Sequence, residues 1–140
     1  MMEANRIAPG LLRERLDPKF YGTRFVEAAT RIAERQLPMA RLDSLVAESA
    51  PITYGIVQPG VFVAPGEGVR LIRAVDFRDG SVDAARTEWV SHKIEAPYAR
   101  ARIHSEDYLI TIAGTVGEVA LAPKDIEPAN LNQSVARIRF

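Results

Sequence analysis

The stretch DYLITIAGTVGEVAL, Asp107 to Leu121, decides how the chain is read. A run of apolar and β-branched residues, Tyr108 to Ile112, leads into Gly114-Thr115-Val116-Gly117. Glycines behind a strand can cradle a phosphate, and two such loops have strict requirements. A Walker loop needs G-x-x-x-x-G-K-[ST] opening a helix. Here no Lys-Ser/Thr pair follows, and Glu118 to Ala122 has strand character. The dinucleotide fingerprint G-x-G-x-x-G also opens a helix, and it fails because the glycines are three apart and a strand follows. A strand, a four-residue glycine turn and a second strand make a hairpin. Gly114 and Gly117 then supply backbone conformations that other residues resist.

The same alphabet extends on both sides of the hairpin. Beyond Pro51, ITYGIV, GVFVA, GVRLIRAVDF and SVARIRF are short, rich in Val, Ile, Tyr and Phe, and bounded by Gly, Pro or Asp. These segments predict strands. Arg78-Asp79-Gly80-Ser81 carries the Asp-Gly signal of a tight turn. SVARIRF alternates Val135, Arg137 and Arg139 against Ala136, Ile138 and Phe140. A strand in this position belongs in the middle of a sheet, or else to a larger domain, because an exposed edge is a liability.

Before Pro51 the period changes. In TRFVEAATRIAERQ, Phe25, Val26, Ala29, Ile32 and Ala33 recur at helical steps. The pattern predicts an amphipathic helix from Thr23 to Gln36, capped by Thr23 and ended by Pro38. Asp17-Pro18 reads as a turn or helix entry, and RLDSLVAES as one or two further helical turns. The expected fold class is α+β: an N-terminal helix, then a β-rich, twisted, mostly antiparallel sheet or partial barrel. Residues 1–15 form an extension, and 16–140 a single domain or a truncated one. Phe25, Ile32, Leu71, Ile72, Leu109, Ile110 and Ile112 are assigned to the core.

Composition narrows the function classes. A chain of 140 residues with 47% hydrophobic residues is long enough for one real core. Without cysteines there are no disulfides or thiolate metal sites, which suits a cytoplasmic protein. No segment approaches the roughly 20 apolar residues that cross a bilayer, so no membrane partner is expected. The 18 basic and 18 acidic residues cancel, but unevenly. Arg70 to His104 holds seven Arg/Lys against five Asp/Glu, whereas Ser105 to Ala129 holds one against five. Such a chain can fold into a basic face and an acidic face, or simply carry a mixed solvated surface.

Catalytic constellations are missing. His92 and His104 are the only histidines, and they lack metal-ligand spacing. Glu106 and Asp107 are adjacent, so in a strand they face opposite sides and cannot work as a pair. Ser91-His92 lacks the glycines of a nucleophile elbow. No catalytic residue, metal or cofactor is expected.

The order of segments resembles the target recognition domain of DNA specificity subunits in type I restriction–modification systems. LDPKFYGTRFVEAA looks like the entry segment of such subunits. ITYG follows, then VRLIRAVDFRDGSVD with its strand, Asp, turn and Gly. HSEDYLITIAGTVGEVALAP looks like the Asp, apolar strand and Gly-Thr-x-Gly signature, and NLNQSVARIRF like an Asn-Gln strand. The resemblance runs from about Leu16 and covers the N-terminal portion of one such domain. It implies a non-catalytic module that reads double-stranded DNA and works with a methyltransferase subunit and a restriction subunit.

Under that resemblance, phosphate contacts would position the domain and base-edge contacts would specify the site. Arginine fits guanine O6 and N7, and Asn or Gln fits adenine. The implied DNA-binding residues are Arg73, Arg78, Arg86, Lys93, Arg100, Arg102, Thr115 and Gln133. WVSHKIEAPYARAR reads as a recognition loop, with Trp89 and Tyr98 among its cations. A charge-mixed loop is more often only a solvated face, and the resemblance weighs against that. Thr115, the amides of the glycine turn and Tyr54-Gly55 are candidate phosphate contacts. Asn130 is expected to be a turn residue after Pro128. Two other classes stay open: a protein-interaction module that binds a methyltransferase without reading DNA, and a small β-rich enzyme.

Overall fold

The computed structural model describes residues 21–36 and 38–140. The chain divides into two compact units, Met1–Ala40 and Arg41–Phe140. The expected boundary near residue 15 and the Asp17-Pro18 turn lie outside the described residues.

In the first unit, helix α1 spans Thr23–Glu34. Its cap residue is Gly22, not Thr23. The apolar stripe forms as expected, but no residue of the helix is buried. Phe25 and Ile32 remain about half exposed, which corrects their assignment to the core. Periodicity fixes which side of a helix is apolar; it does not supply a surface to cover that side.

In the second unit, RLDSLVAES contributes one 3₁₀ turn at Leu42–Ser44. Strands β1 (Thr53–Tyr54), β2 (Val69–Ile72), β3 (Phe77–Arg78), β4 (Ser81–Val82) and β5 (Glu88–Val90) follow. Helix α2 spans His92–Glu95 and runs into a 3₁₀ segment, Ala96–Ala101. Strands β6 (Tyr108–Thr111), β7 (Val119–Leu121), β8 (Ala129–Leu131) and β9 (Val135–Ile138) complete the described elements.

One sheet has the order β1-β9-β6-β7-β4-β3, and the other β5-β2-β8. Only β2–β8 and β4–β7 are parallel, so the expected mostly antiparallel α+β architecture holds among the described residues. The hairpin expected around Gly114 and Gly117 is present, with Tyr108 opposite Leu121 and Ile110 opposite Val119. Its turn is held from inside. Buried Thr111 accepts from the Glu118 amide at 2.9 Å and donates its hydroxyl proton to the Thr115 carbonyl. The Gly117 amide donates to the Thr111 carbonyl at 2.9 Å. Asp79 and Gly80 both have positive φ, 47° and 80°. That is the type I′ geometry an Asp-Gly pair favours between strands.

Strand β9 lies between β1 and β6, one of the two placements expected for it. Two clusters fill the interior. Ile72, Ile103, Leu109, Ile126, Leu131 and Val135 belong to the larger one. Ile56, Val69, Leu71 and Val90 form the smaller, with Ile94 and Tyr98 packed against it. Neighbours Leu71 and Ile72 enter different clusters, so β2 is buried on both sides. Burying each such side chain contributes about 1.5–3 kcal/mol.

Three strand expectations need correction. GVFVA is not a strand; its Val63 amide reaches the Trp89 carbonyl at 2.9 Å, and its Ala64 carbonyl accepts from the Glu67 amide in a local turn. Flanking Pro59 and Pro65 interrupt any longer ladder. GVRLIRAVDF breaks into β2 and β3 around a 3₁₀ turn at Ala74–Asp76, closed by Arg73 and Asp76. Ile112 lies past the end of β6 and is exposed, whereas Ile110 is half buried.

Candidate nucleic-acid interface

WVSHKIEAPYARAR is structured rather than a free loop. Ser91 Oγ accepts from the Ile94 amide and caps α2, and Pro97 stands in the first turn of the 3₁₀ segment. Both are start signals visible in the sequence. What fixes the segment to the sheet is a long-range contact that local reading missed.

That contact centres on Glu95, only 1% exposed. A buried carboxylate is costly unless its oxygens are satisfied. Arg102 grips it with two bonds, Nε to Oε1 at 2.7 Å and Nη2 to Oε2 at 2.8 Å. The Asn130 amide donates to Oε1 at 3.0 Å and to the Tyr98 carbonyl at 3.0 Å. The bonds from Arg102 hold the Glu95 carboxyl below its ordinary range, and the same pair raises the Arg102 guanidinium. Asn130 is therefore a fully buried residue of β8, not a turn residue. Its place after Pro128 suggested a turn; the polar pocket under α2 decides otherwise.

The other cations fall into two kinds. Arg73 is spent internally, bonding Asp76, the Arg86 carbonyl at 3.0 Å and Glu88 at 3.5 Å. Arg78, in the tight turn, is exposed and reaches only its neighbour's carbonyl, Phe77 O, at 2.8 Å. Arg86 and Lys93 are exposed, with no hydrogen bond or ion pair from either side chain among the described residues. Exposed Arg100 reaches Thr53 Oγ1 at 3.4 Å. Arg102 keeps 55% of its side chain open despite its grip on Glu95.

Thus Lys93, Arg100 and Arg102 share one structured segment, and Arg73 bonds the backbone at Arg86. Arg78, Thr115 and Gln133 stand apart at three separate turns. Thr115 and Gln133 are exposed, and each uses a backbone group inside the fold. Gly55 cannot serve as a phosphate contact. It is buried, its amide donates to the Asn132 carbonyl, and a Cβ there would lie 1.9 Å from the Leu131 carbonyl oxygen.

Two further arginines escaped sequence reading. Arg70 stacks on Trp89 and donates to the Ala84 carbonyl at 3.0 Å. Arg137 turns inward beside Leu109 and is only 4% exposed. It donates to the carbonyls of Arg102 at 2.9 Å and Pro51 at 3.3 Å, while its Nε finds no partner. Burial, reinforced by nearby Arg139, pushes its guanidinium below the ordinary arginine value.

An open cleft gathers His104, Glu106, Asp107, Tyr108, Leu121, Arg139 and Phe140. Asp107 is committed there, to Arg139 at 2.6 and 2.7 Å and to the His104 amide at 2.7 Å. No group of three or more His, Asp or Glu is placed to hold a metal ion among the described residues. Nor is any described helix long and apolar enough to cross a membrane.

This two-sheet fold is similar to part of a restriction-system specificity subunit. The crystal structure of the HsdS subunit from Thermoanaerobacter tengcongensis superposes with a TM-score of 0.54 at 19% identity, covering 81% of this chain and 28% of that one. At the level of sequence, the chain is homologous to the type I restriction enzyme EcoBI specificity subunit of Escherichia coli, with 35% identity over 97 residues. That match takes in 69% of this chain and 20% of the relative's length. No family model matches the chain.

Proposed function

We propose that this chain is a DNA sequence-recognition module of a type I restriction–modification system. It has no catalytic role of its own and directs an adenine-N6 methyltransferase subunit, and through it a restriction subunit, to a target duplex in the cytoplasm. The 35% identity to a specificity subunit carries the reading. The exposed cations agree with it: Arg78, Arg86, Lys93 and Arg100 are not consumed by carboxylates. Phosphate contacts need such groups for positioning, and base contacts need arginine forks or amides such as Gln133. The test is selection from a pool of random duplexes, with and without the partner methyltransferase. Enrichment of one sequence, weakening as salt rises, is the expected result. No enrichment in either format refutes it.

A second reading is a module that binds a methyltransferase without reading DNA. The outer face of the β6–β7 hairpin favours it. Tyr108, Val119, Leu121 and Phe140 are all at least 41% exposed there, and Phe140 meets Tyr108 edge-on at 5.5 Å. An exposed apolar sheet face is a feature of interaction surfaces. Capture of the methyltransferase with no duplex affinity would establish this reading over the first.

A further inference from the structure

We infer that Arg102 reads a guanine, with Glu95 as the residue that aims it and Asn130 as the residue that locks Glu95. This rests on the DNA-reading function proposed above. A guanidinium has two useful edges. Its side edge, Nε with Nη2, is taken by the Glu95 carboxylate at 2.7 and 2.8 Å. Its end, Nη1 with the remaining Nη2 proton, makes no hydrogen bond among the described residues. Guanine O6 and N7 accept a bidentate fork of this kind in the major groove.

The other paired arginines lack one half of this arrangement. Arg73 has Nε and both terminal nitrogens occupied and is 25% exposed. Arg139 also clasps a buried carboxylate, Asp107, but keeps only 27% of its side chain open. Arg41 grips Asp43, which is itself 62% exposed and offers no rigid anchor. Arg102 alone among the described ion pairs joins a 1% exposed carboxylate to a guanidinium 55% open.

The support behind Glu95 is complete. Asn130 spends both amide hydrogens, on Glu95 and on the Tyr98 carbonyl, and its oxygen accepts from the Leu131 amide at 2.8 Å. Asn130 sits on β8, which pairs with β2 at the centre of the three-stranded sheet. The sheet therefore sets the angle of the arginine through two side chains. An arginine held this way loses little rotamer freedom on meeting a base, so its contact discriminates strongly.

The experiment compares the wild-type chain with Arg102→Lys and Glu95→Gln in duplex selection. Binding is then measured to the selected duplex with 7-deazaguanine, which lacks N7, at each guanine in turn. For wild type, one position should lose about tenfold in affinity or more, within the range of a bidentate contact. Arg102→Lys should abolish the preference at that position alone, leaving the others and the salt dependence in place. Glu95→Gln should blunt the same position while Trp89 emission reports a folded chain. Should Glu95→Gln unfold, the solvent-facing Arg102→Lys decides the matter by itself. A wild type that selects DNA but shows the same guanine profile as Arg102→Lys overturns this inference and leaves the DNA-reading function standing. A wild type that selects nothing removes both.

Discussion

The Arg70 guanidinium lies 4.6 Å from the centroid of the Trp89 ring, across the register partners of β2 and β5. The same side chain bonds the Ala84 carbonyl and Thr87 Oγ1, at 3.0 and 3.3 Å. One arginine thus joins the three-stranded sheet to the segment that carries Arg86. Arg70→Ala should cost about 1–2 kcal/mol, summing a partly exposed cation–π contact and a hydrogen bond to a charged donor. Trp89 is the only tryptophan, so urea unfolding followed by its emission measures this directly. An unchanged midpoint would show that the stack is incidental.

Asp107 and Arg139 make the second test. The carboxylate is buried and takes three donors, two from Arg139 and one from the His104 amide. Asp107→Ala strands a partly buried cation and an amide, and should destabilise by about 3 kcal/mol. Asp107→Asn keeps the shape and should cost less. Paired thermal melts separate the two.

The glycine turn makes a third. Thr111→Val leaves the Glu118 amide and the Thr115 carbonyl without their partner. The expected loss is about 1–3 kcal/mol. Thr111→Ser should restore most of it. Hydrogen exchange should show faster turnover at residues 113–118, with β9 protected until global unfolding.

Glu95 makes the pH test. Its bonds from Arg102 hold its folded pKa below the unfolded value. Between those two values the unfolded chain binds more protons than the folded one, so stability rises with pH there. The contribution is fully present above the usual glutamate range, about 4.3, and fades as pH falls through the folded value. Glu95→Gln removes that part of the slope. Urea midpoints from pH 3 to pH 7 should show a shallower acid limb for the variant.

Local chemistry explains what could be read in advance. The Asp79-Gly80 turn and the hairpin around Gly114 and Gly117 are set by residues within a few positions of one another. The hazard of an open edge left β9 two placements, of which the central one is seen. Burial was less legible. The α1 stripe marks an apolar side, yet Phe25 and Ile32 stay exposed. Asn130 was misjudged because its partners, Glu95 and Tyr98, are more than thirty residues away in the chain. The arginines were legible as a class of residue, but not by role. Nothing local separates Arg73, tied on every side, from Arg86, tied on none. The separation depends on which carboxylates the fold buries.

Among the described residues strand β1 pairs only with β9, and β9 also supplies one of the two neighbours of β6. During translation, the segment from Thr53 through Ile138 must therefore leave the ribosome before the six-stranded sheet can close. Pairings between such distant segments slow folding, because the intervening loop must be closed first. Until then Thr53-Tyr54 and the apolar β6 remain open edges, and a nascent chain stalled before Val135 is a substrate for chaperones or for aggregation.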